Sequence, residues 1–174
     1  MALLLGDSLL RFLPLNDKFN KVFLPGIDCE SLSNLICKGE FDQLLQTVSL
    51  VIILVGTNDI PLLFPDKVAK RVVSVALVIK ARCRHLKVAV AGILPRPGDH
   101  GIYSHAIKLC NKEIEAICKD TDNVPLRSYR AFLSFNSLVP RHFHSDGLHL
   151  SESGCTLLYR GFLSAIDRHM KGRL

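Results

Sequence analysis

Three short stretches of the sequence carry residue types that can do acyl-transfer chemistry. Ser8 lies in Gly6-Asp7-Ser8, directly after the apolar run Ala2-Leu3-Leu4-Leu5. Asn58 lies in Gly56-Thr57-Asn58-Asp59, directly after a second apolar run. Asp146 and His149 share the stretch Asp146-Gly147-Leu148-His149 near the far end of the chain. A serine hydroxyl is a poor nucleophile until a base takes its proton. His149 can be that base through Nε2, with Asp146 holding Nδ1–H and stabilising the imidazolium. Gly147 permits a turn tight enough to bring the carboxylate beside the imidazole. The oxyanion that forms on the attacked carbonyl needs fixed donors. The backbone N–H groups of Ser8 and Gly26 and the side-chain amide of Asn58 can supply them. Together these are the parts of a serine esterase.

Each part alone has a plainer reading. Ser8 can cap a helix, Asp7 more often caps the following turn than does chemistry, and Gly26 after Pro25 is ordinarily a turn residue. Asn58 alone is a turn or cap, and Asp146-Gly147 alone is a turn. The combination, in this order and after apolar runs, favours chemistry. Asp7 is given no catalytic role.

The elements that must position these residues follow from the hydrophobic pattern. Strands are expected near residues 3–6, 21–24, 49–55, 88–93 and 124–128. They are rich in Val, Ile and Leu without strict alternation, as in strands buried on both faces of a parallel sheet. Helices are expected over 30–38, from Asp66 as cap to about 85, over 103–119, and from Ser151 as cap to the C-terminal region. Leu158, Phe162 and Ile166 form the buried stripe of the last helix, and Ala106, Ile107, Cys110, Ile114 and Ile117 that of the one before. Strand alternating with helix implies an open, doubly wound α/β sheet, whose sites lie beyond the carboxyl ends of the strands. Ser8, Gly26, Asn58, Pro95-Arg96 and the Asp146–His149 stretch each follow one of the five strands.

Composition sets the bounds. The chain has 174 residues, 48% hydrophobic and 22% charged, which suits one globular domain over 1–174 rather than a disordered segment. No apolar run approaches the length of a membrane span. Met1-Ala2 leads straight into the first strand without a signal-peptide pattern, which suggests a domain excised from a longer protein. None of the six cysteines forms a CxxC pair, and several occupy apolar helical positions. An intracellular, reducing, cytoplasmic setting is expected. The formal charge of +6 is compatible with phosphate-rich partners, but the basic residues are scattered, and a soluble basic domain is the simpler reading. The His-x-His spacing of His142 and His144 can serve zinc, yet no carboxylate or cysteine cluster completes a set. Neither metal nor cofactor is expected. Those two histidines read as solvated loop, and His85, His100, His105 and His169 as surface residues.

Gly6-Asp7-Ser8-Leu9, Gly26, Gly56-Thr57-Asn58-Asp59 and Asp146-Gly147-Leu148-His149 together resemble the four ordered blocks of the SGNH hydrolases, also called the GDSL lipase/esterase family. The resemblance runs from residue 6 to the final helix. It implies a flavodoxin-like three-layer α/β/α sandwich with a five-stranded parallel sheet, and hydrolysis through an acyl-serine. Ser8, Asp146 and His149 would be the triad, and Gly26 and Asn58 would join Ser8 in the oxyanion hole. Leu10 stands where the larger α/β-hydrolases carry the second glycine of their nucleophile motif. Within the family, Gly92-Ile93-Leu94-Pro95-Arg96 and Asp146-Gly147-Leu148-His149-Leu150 look like the acetylhydrolases that act on platelet-activating factor. They look equally like the esterase domain in the first open-reading-frame protein of vertebrate non-LTR (LINE-type) retrotransposons. The latter implies an RNA-associated, self-assembling parent protein whose nucleic-acid contacts lie outside this chain.

Three functions are therefore weighed. The first is hydrolysis of short-chain carboxylic esters, acetyl or similar, with a small ester or lipid as substrate, some contact with a membrane surface, and Arg96 either near an anionic head group or in a structural pair. The second is a lipid- or nucleic-acid-associated binding and assembly module on the same scaffold. The third is carbohydrate O-deacetylation, for which Tyr103, Phe135 and Phe143 are the loop aromatics able to stack on sugars. The loop Pro97–Tyr103, with Gly98 and Gly101, is a candidate lid.

Overall fold

The computed structural model describes residues 1–99, 101–134 and 137–174, without the side chains of Asp99 and Ser137; His100 and Phe135, both singled out above, lie outside the described residues. Five strands, β1 (Ala2–Gly6), β2 (Phe19–Phe23), β3 (Leu50–Leu54), β4 (Lys87–Ala91) and β5 (Val124–Leu126), form one sheet in the order β2-β1-β3-β4-β5. Every pairing in it is parallel. The five expected strands are all present: β3 and β5 are each two residues shorter than expected and β4 one residue shorter, while β1 and β2 are each one residue longer. The strand order reverses between β1 and β3, which makes their carboxyl ends the topological switch point of the sheet.

Two apolar layers sandwich this sheet because alternate strand residues face opposite ways. Leu3, Leu5, Val51, Ile53, Val88 and Val90 pack with side chains from α1 (Cys29–Cys37), α2 (Asp42–Gln46), α3 (Pro65–Arg82) and α4 (Ser104–Asp120). Leu4, Ile52, Leu54, Ala89 and Ala91 pack on the other side with Leu9, Leu10, Phe132 and the stripe Leu158, Phe162 and Ile166 of α5 (Glu152–Met170). The result is the expected α/β/α sandwich. Among the described residues, no helix is long and apolar enough to cross a membrane.

Several expectations are corrected. Asp66 does not cap α3. Pro65 takes the first helical position, where its missing N–H costs nothing, and holds Phe64 extended before it. Asp66 instead lies in the first turn, 3.6 Å from Lys70. Ser151 does cap α5, accepting from the Gly154 N–H. The short α2 and a small antiparallel pair, β6 (Leu133–Ser134) with β7 (Ser137–Leu138), carry no clear periodicity in the sequence. His142 is buried rather than solvated: its Nδ1 lies 3.0 Å from Ser153 Oγ and its ring meets Phe132 edge-on. Phe143 is buried against Phe132 as well, so it offers no stacking face to solvent. His169 is half-buried, with Nε2 3.0 Å from Ser49 Oγ. His85, His105 and His144 are exposed. All six cysteines are free thiols, and four of them are buried.

Candidate active site

The carboxyl edge of the sheet assembles the predicted residues loop by loop. The registers pair Gly6 with both Phe23 and Leu54, so β1, β2 and β3 end level with one another. The ladder then runs one step further, as Leu24 N–H donates to Gly6 O and Asp7 N–H to Leu54 O. Beyond this step the chain turns into a 3₁₀ turn, Ser8–Leu10, with Asp7 as its N-cap: Asp7 Oδ1 accepts from Leu9 N–H at 2.9 Å. Ser8 is thus placed at the start of a turn on a rigid strand end. The second Asp7 oxygen is buried and has no partner among the described residues. Burial pushes the Asp7 carboxyl up to about 7, against the Leu9 bond that lowers it.

The candidate acid Asp146 and base His149 come from the long connection after β5. That loop is closed by a bridge between Phe143 and Leu150, and His144 N–H donates to His149 O at 2.8 Å. Within it, Asp146 Oδ1 accepts from the N–H groups of Leu148 and His149, at 2.9 and 3.0 Å. Its other oxygen accepts from His149 Nδ1 at 2.7 Å. The His149 bond, with the Leu148 N–H next, holds the Asp146 carboxyl down at about 2. An ionised carboxylate only accepts, so Nδ1 of His149 carries the proton and Nε2 is left to accept. That Nε2 lies 3.3 Å from Ser8 Oγ. Ser8, His149 and Asp146 therefore form one connected chain, on residues the sequence singled out as candidate nucleophile, base and orienting carboxylate.

The turn carrying Asp146 is braced from outside. Gly98 N–H donates to Gly147 O at 3.1 Å. A Cβ on either glycine would come within 2.0 Å of the other segment's backbone, and Gly147 also has a positive φ of 64°. Only glycine permits this approach. The candidate lid Pro97–Tyr103 is thus anchored at Gly98 against the acid's own turn.

The candidate oxyanion donors Gly26 and Asn58 lie in the loops after β2 and β3. Leu24-Pro25-Gly26-Ile27 is closed by Ile27 N–H on Leu24 O at 3.2 Å, with Gly26 at φ 74°. Proline second and a left-handed glycine third define a type II turn, whose central peptide points its N–H away from the turn's own hydrogen bond. The N–H groups of Ser8 and Gly26 take no partner among the described residues. Asn58 Nδ2 donates one hydrogen to Ile27 O at 2.9 Å, which fixes the amide plane and leaves its second hydrogen for another acceptor. Neighbouring Asp59 is buried and accepts from Cys29 N–H at 3.1 Å. Nothing in the sequence marks Ile27 for this contact or gives Asp59, within its Gly56–Asp59 stretch, a role of its own. Asp59 adjoins Asn58, but its partner lies thirty residues away, and only the strand register brings them together.

Arg96 lies beside this site. One guanidinium N–H donates to Thr57 O at 2.8 Å, and the group lies over the Tyr103 ring, 5.3 Å from its centre. On the opposite flank a groove of about 370 Å³ is lined by Phe12, Pro14, His144, Leu150, Glu152, Cys155 and Thr156. It meets the triad loop through His144 and Leu150. No group of three or more metal-ligating side chains occurs among the described residues.

The sequence matches no protein-family model and no curated protein. Solved structures resemble it throughout. A GDSL-like lipase from Bacteroides thetaiotaomicron is 20% identical at a TM-score of 0.78, over 97% of this chain and 88% of that one. A member of the lipolytic G-D-S-L family from Veillonella parvula is 16% identical at 0.76, over 96% and 98%. An acetyl-xylooligosaccharide esterase from Geobacillus is 18% identical at 0.67, over 95% and 93%. At such identities the likeness is one of fold, and the fold of this chain is that of the GDSL-type lipases and acylhydrolases.

Proposed function

We propose that the chain is a serine esterase that hydrolyses carboxylic esters with short acyl chains, acetyl or similar, through an acyl-serine intermediate. The observation that carries this reading is the unbroken chain from Ser8 Oγ to His149 Nε2 and from His149 Nδ1 to Asp146. Ser8 Oγ attacks the ester carbonyl while its proton passes to His149 Nε2, and Asp146 stabilises the imidazolium. The carbonyl oxygen becomes an oxyanion within reach of the Ser8 and Gly26 N–H groups and the free Asn58 hydrogen. Collapse expels the alcohol, which takes the proton from Nε2. Water then repeats the sequence and releases the acid. The groove beside His144 and Leu150 holds one arm of the ester.

Within this reading, the Gly92–Arg96 and Asp146–Leu150 stretches favour an acetylhydrolase-like esterase of the platelet-activating-factor type, or the esterase domain of a retrotransposon-encoded protein. The exposed Phe12, Leu62, Phe64 and Ile102 lie in loops after β1, β3 and β4, and they support a lipid substrate met at a membrane surface. Arg96, tied to Thr57, serves the site by bracing the loop that bears Asn58. Six free thiols suit a reducing compartment.

A second reading, deacetylation of carbohydrate, is favoured by one feature. Phe12 is exposed at the groove and can stack on a sugar with the ring face that the Arg11 guanidinium leaves open, although Phe143 is buried and Tyr103 has Arg96 over its ring. The test is hydrolysis of p-nitrophenyl esters from acetate to octanoate, beside acetylated xylan, by wild type and Ser8→Ala. Turnover that falls with chain length and vanishes in Ser8→Ala is expected. Turnover that survives in Ser8→Ala contradicts the reading, and preference for the xylan selects the second.

A further inference from the structure

Asp59 has no part in the triad and no exposed surface, yet its carboxylate grips the loop that bears an oxyanion donor. The hold has two adjacent anchors. Asn58 Nδ2 donates to Ile27 O at 2.9 Å, and Asp59 Oδ2 accepts from Cys29 N–H at 3.1 Å. Ile27 closes the type II turn that aims the Gly26 N–H outward, and Cys29 lies two residues beyond it. Asp59 is itself fixed, because its N–H donates to Gly56 O and its carbonyl accepts from Leu62 and Leu63. Arg71 on α3 reinforces the hold. It lies 3.7 Å from Asp59 Oδ1 and 2.9 Å from Glu30 Oε2 on the first turn of α1. By contrast Gly26 is exposed, and a Cβ built on it would meet nothing within 4 Å. The direction of its N–H is therefore set on one side by Leu24, which donates to Gly6 O, and on the other by what holds residues 27–29.

We propose that Asp59 is the positioning residue of the oxyanion hole, whose carboxylate, through Cys29 N–H, fixes the β2–α1 loop so that the Gly26 N–H points at the developing oxyanion. This rests on the esterase reading above. The geometry separates the roles of the Asn58-Asp59 pair: Asn58 donates to the oxyanion, and Asp59 keeps the other donor in place. Such an effect belongs to the transition state, because the ground-state carbonyl makes weaker demands on these donors.

The test uses three variants and two probes. Asp59→Ala removes the acceptor, and Asp59→Asn keeps an oxygen that can still accept from Cys29. Cys29→Pro deletes the N–H itself at the first position of α1, where proline is well tolerated and Asp28 is already extended. Kinetics on p-nitrophenyl acetate are read beside affinity for an aryl trifluoromethyl ketone. Ser8 adds to its carbonyl carbon, the serine proton goes to His149, and the ketone oxygen becomes the bound oxyanion. The expected result for Asp59→Ala and Cys29→Pro is a kcat lower by about 10- to 100-fold, with KM within about twofold of wild type. Ketone affinity should fall in proportion. Asp59→Asn should recover most of the loss, and combining Asp59→Ala with Cys29→Pro should cost no more than either alone.

A folded Asp59→Ala or Cys29→Pro protein with kcat within about twofold of wild type overturns the proposal, whatever its change in thermal stability. If Asp59→Ala does not fold, Cys29→Pro decides alone. If wild type turns over no ester, it is the esterase reading that fails, and hydrogen exchange at the Gly26 amide then decides the present proposal. Faster exchange in Cys29→Pro supports it, and unchanged exchange overturns it.

Discussion

Asp7, directly before the nucleophile, makes a sharp prediction about pH. One of its oxygens caps Leu9, while the other is buried with no partner among the described residues. Burial raises its carboxyl from the ordinary 3.8 to about 7. The folded state therefore binds this proton more tightly than the unfolded chain. No penalty exists below the unfolded value; the penalty grows as pH rises through the interval and is complete above about 7. Asp7→Asn keeps the Leu9 acceptor and cannot ionise. Whatever constant cost the new amide brings, the stability difference between the two proteins should shift with pH. From the two pKa values, Asp7→Asn should gain about 2 to 3 kcal/mol relative to wild type between about pH 5 and about pH 8. Urea unfolding of both proteins at several pH values reads this directly. Groups remote from Asp7 contribute alike in both proteins and cancel in the difference. A stability difference that stays flat from pH 5 to 8, or moves the other way, refutes the account of Asp7 as a buried, neutral acid.

Other predictions follow from the site. Asn58→Ala removes the amide proposed to bind the oxyanion and should lower kcat by about 10²- to 10³-fold in the ester assay. Gly26→Ala places a side chain at φ 74° in open space, so it should cost only the left-handed strain of about 1 to 2 kcal/mol in unfolding experiments. Gly147→Ala, whose Cβ would reach within 2.0 Å of Gly98, should lose far more stability and also activity, because the turn holding Asp146 must shift. Asp146 is held down at about 2, so its bonds stabilise the fold above the ordinary carboxylate range and fail only as pH drops toward that value. The pH–rate profile should accordingly show no inflection from Asp146 above about pH 4.

The parts legible in the sequence were those written in contiguous residues. Ser49–Val55 reads as a doubly buried strand because nearly every residue is apolar. Asp146 and His149 meet because three residues of turn separate them. The α5 stripe Leu158, Phe162 and Ile166 is buried as its spacing implies. What was not legible depends on residues far apart in the chain. Asp59 reaches Cys29, and Asn111 of α4 is buried because its amide both accepts from Ile93 N–H and donates to Ile93 O. His142 resembled a solvated loop histidine because nothing local predicts Phe132 and Ser153 around it. Asp66 was misplaced by one turn chemistry for another, since Pro65 starts the helix without a side-chain cap.

The central claim is that Ser8 is a nucleophile activated by His149. The most direct measurement is reaction with a fluorophosphonate, followed by peptide mass spectrometry on wild type, Ser8→Ala and His149→Ala. The serine oxygen displaces fluoride at phosphorus, and its proton leaves through His149. One adduct on the peptide bearing Ser8 is expected in wild type, with none in Ser8→Ala and labelling slowed at least about 10²-fold in His149→Ala. Labelling of another residue, or of Ser8 at an undiminished rate without His149, would contradict the account.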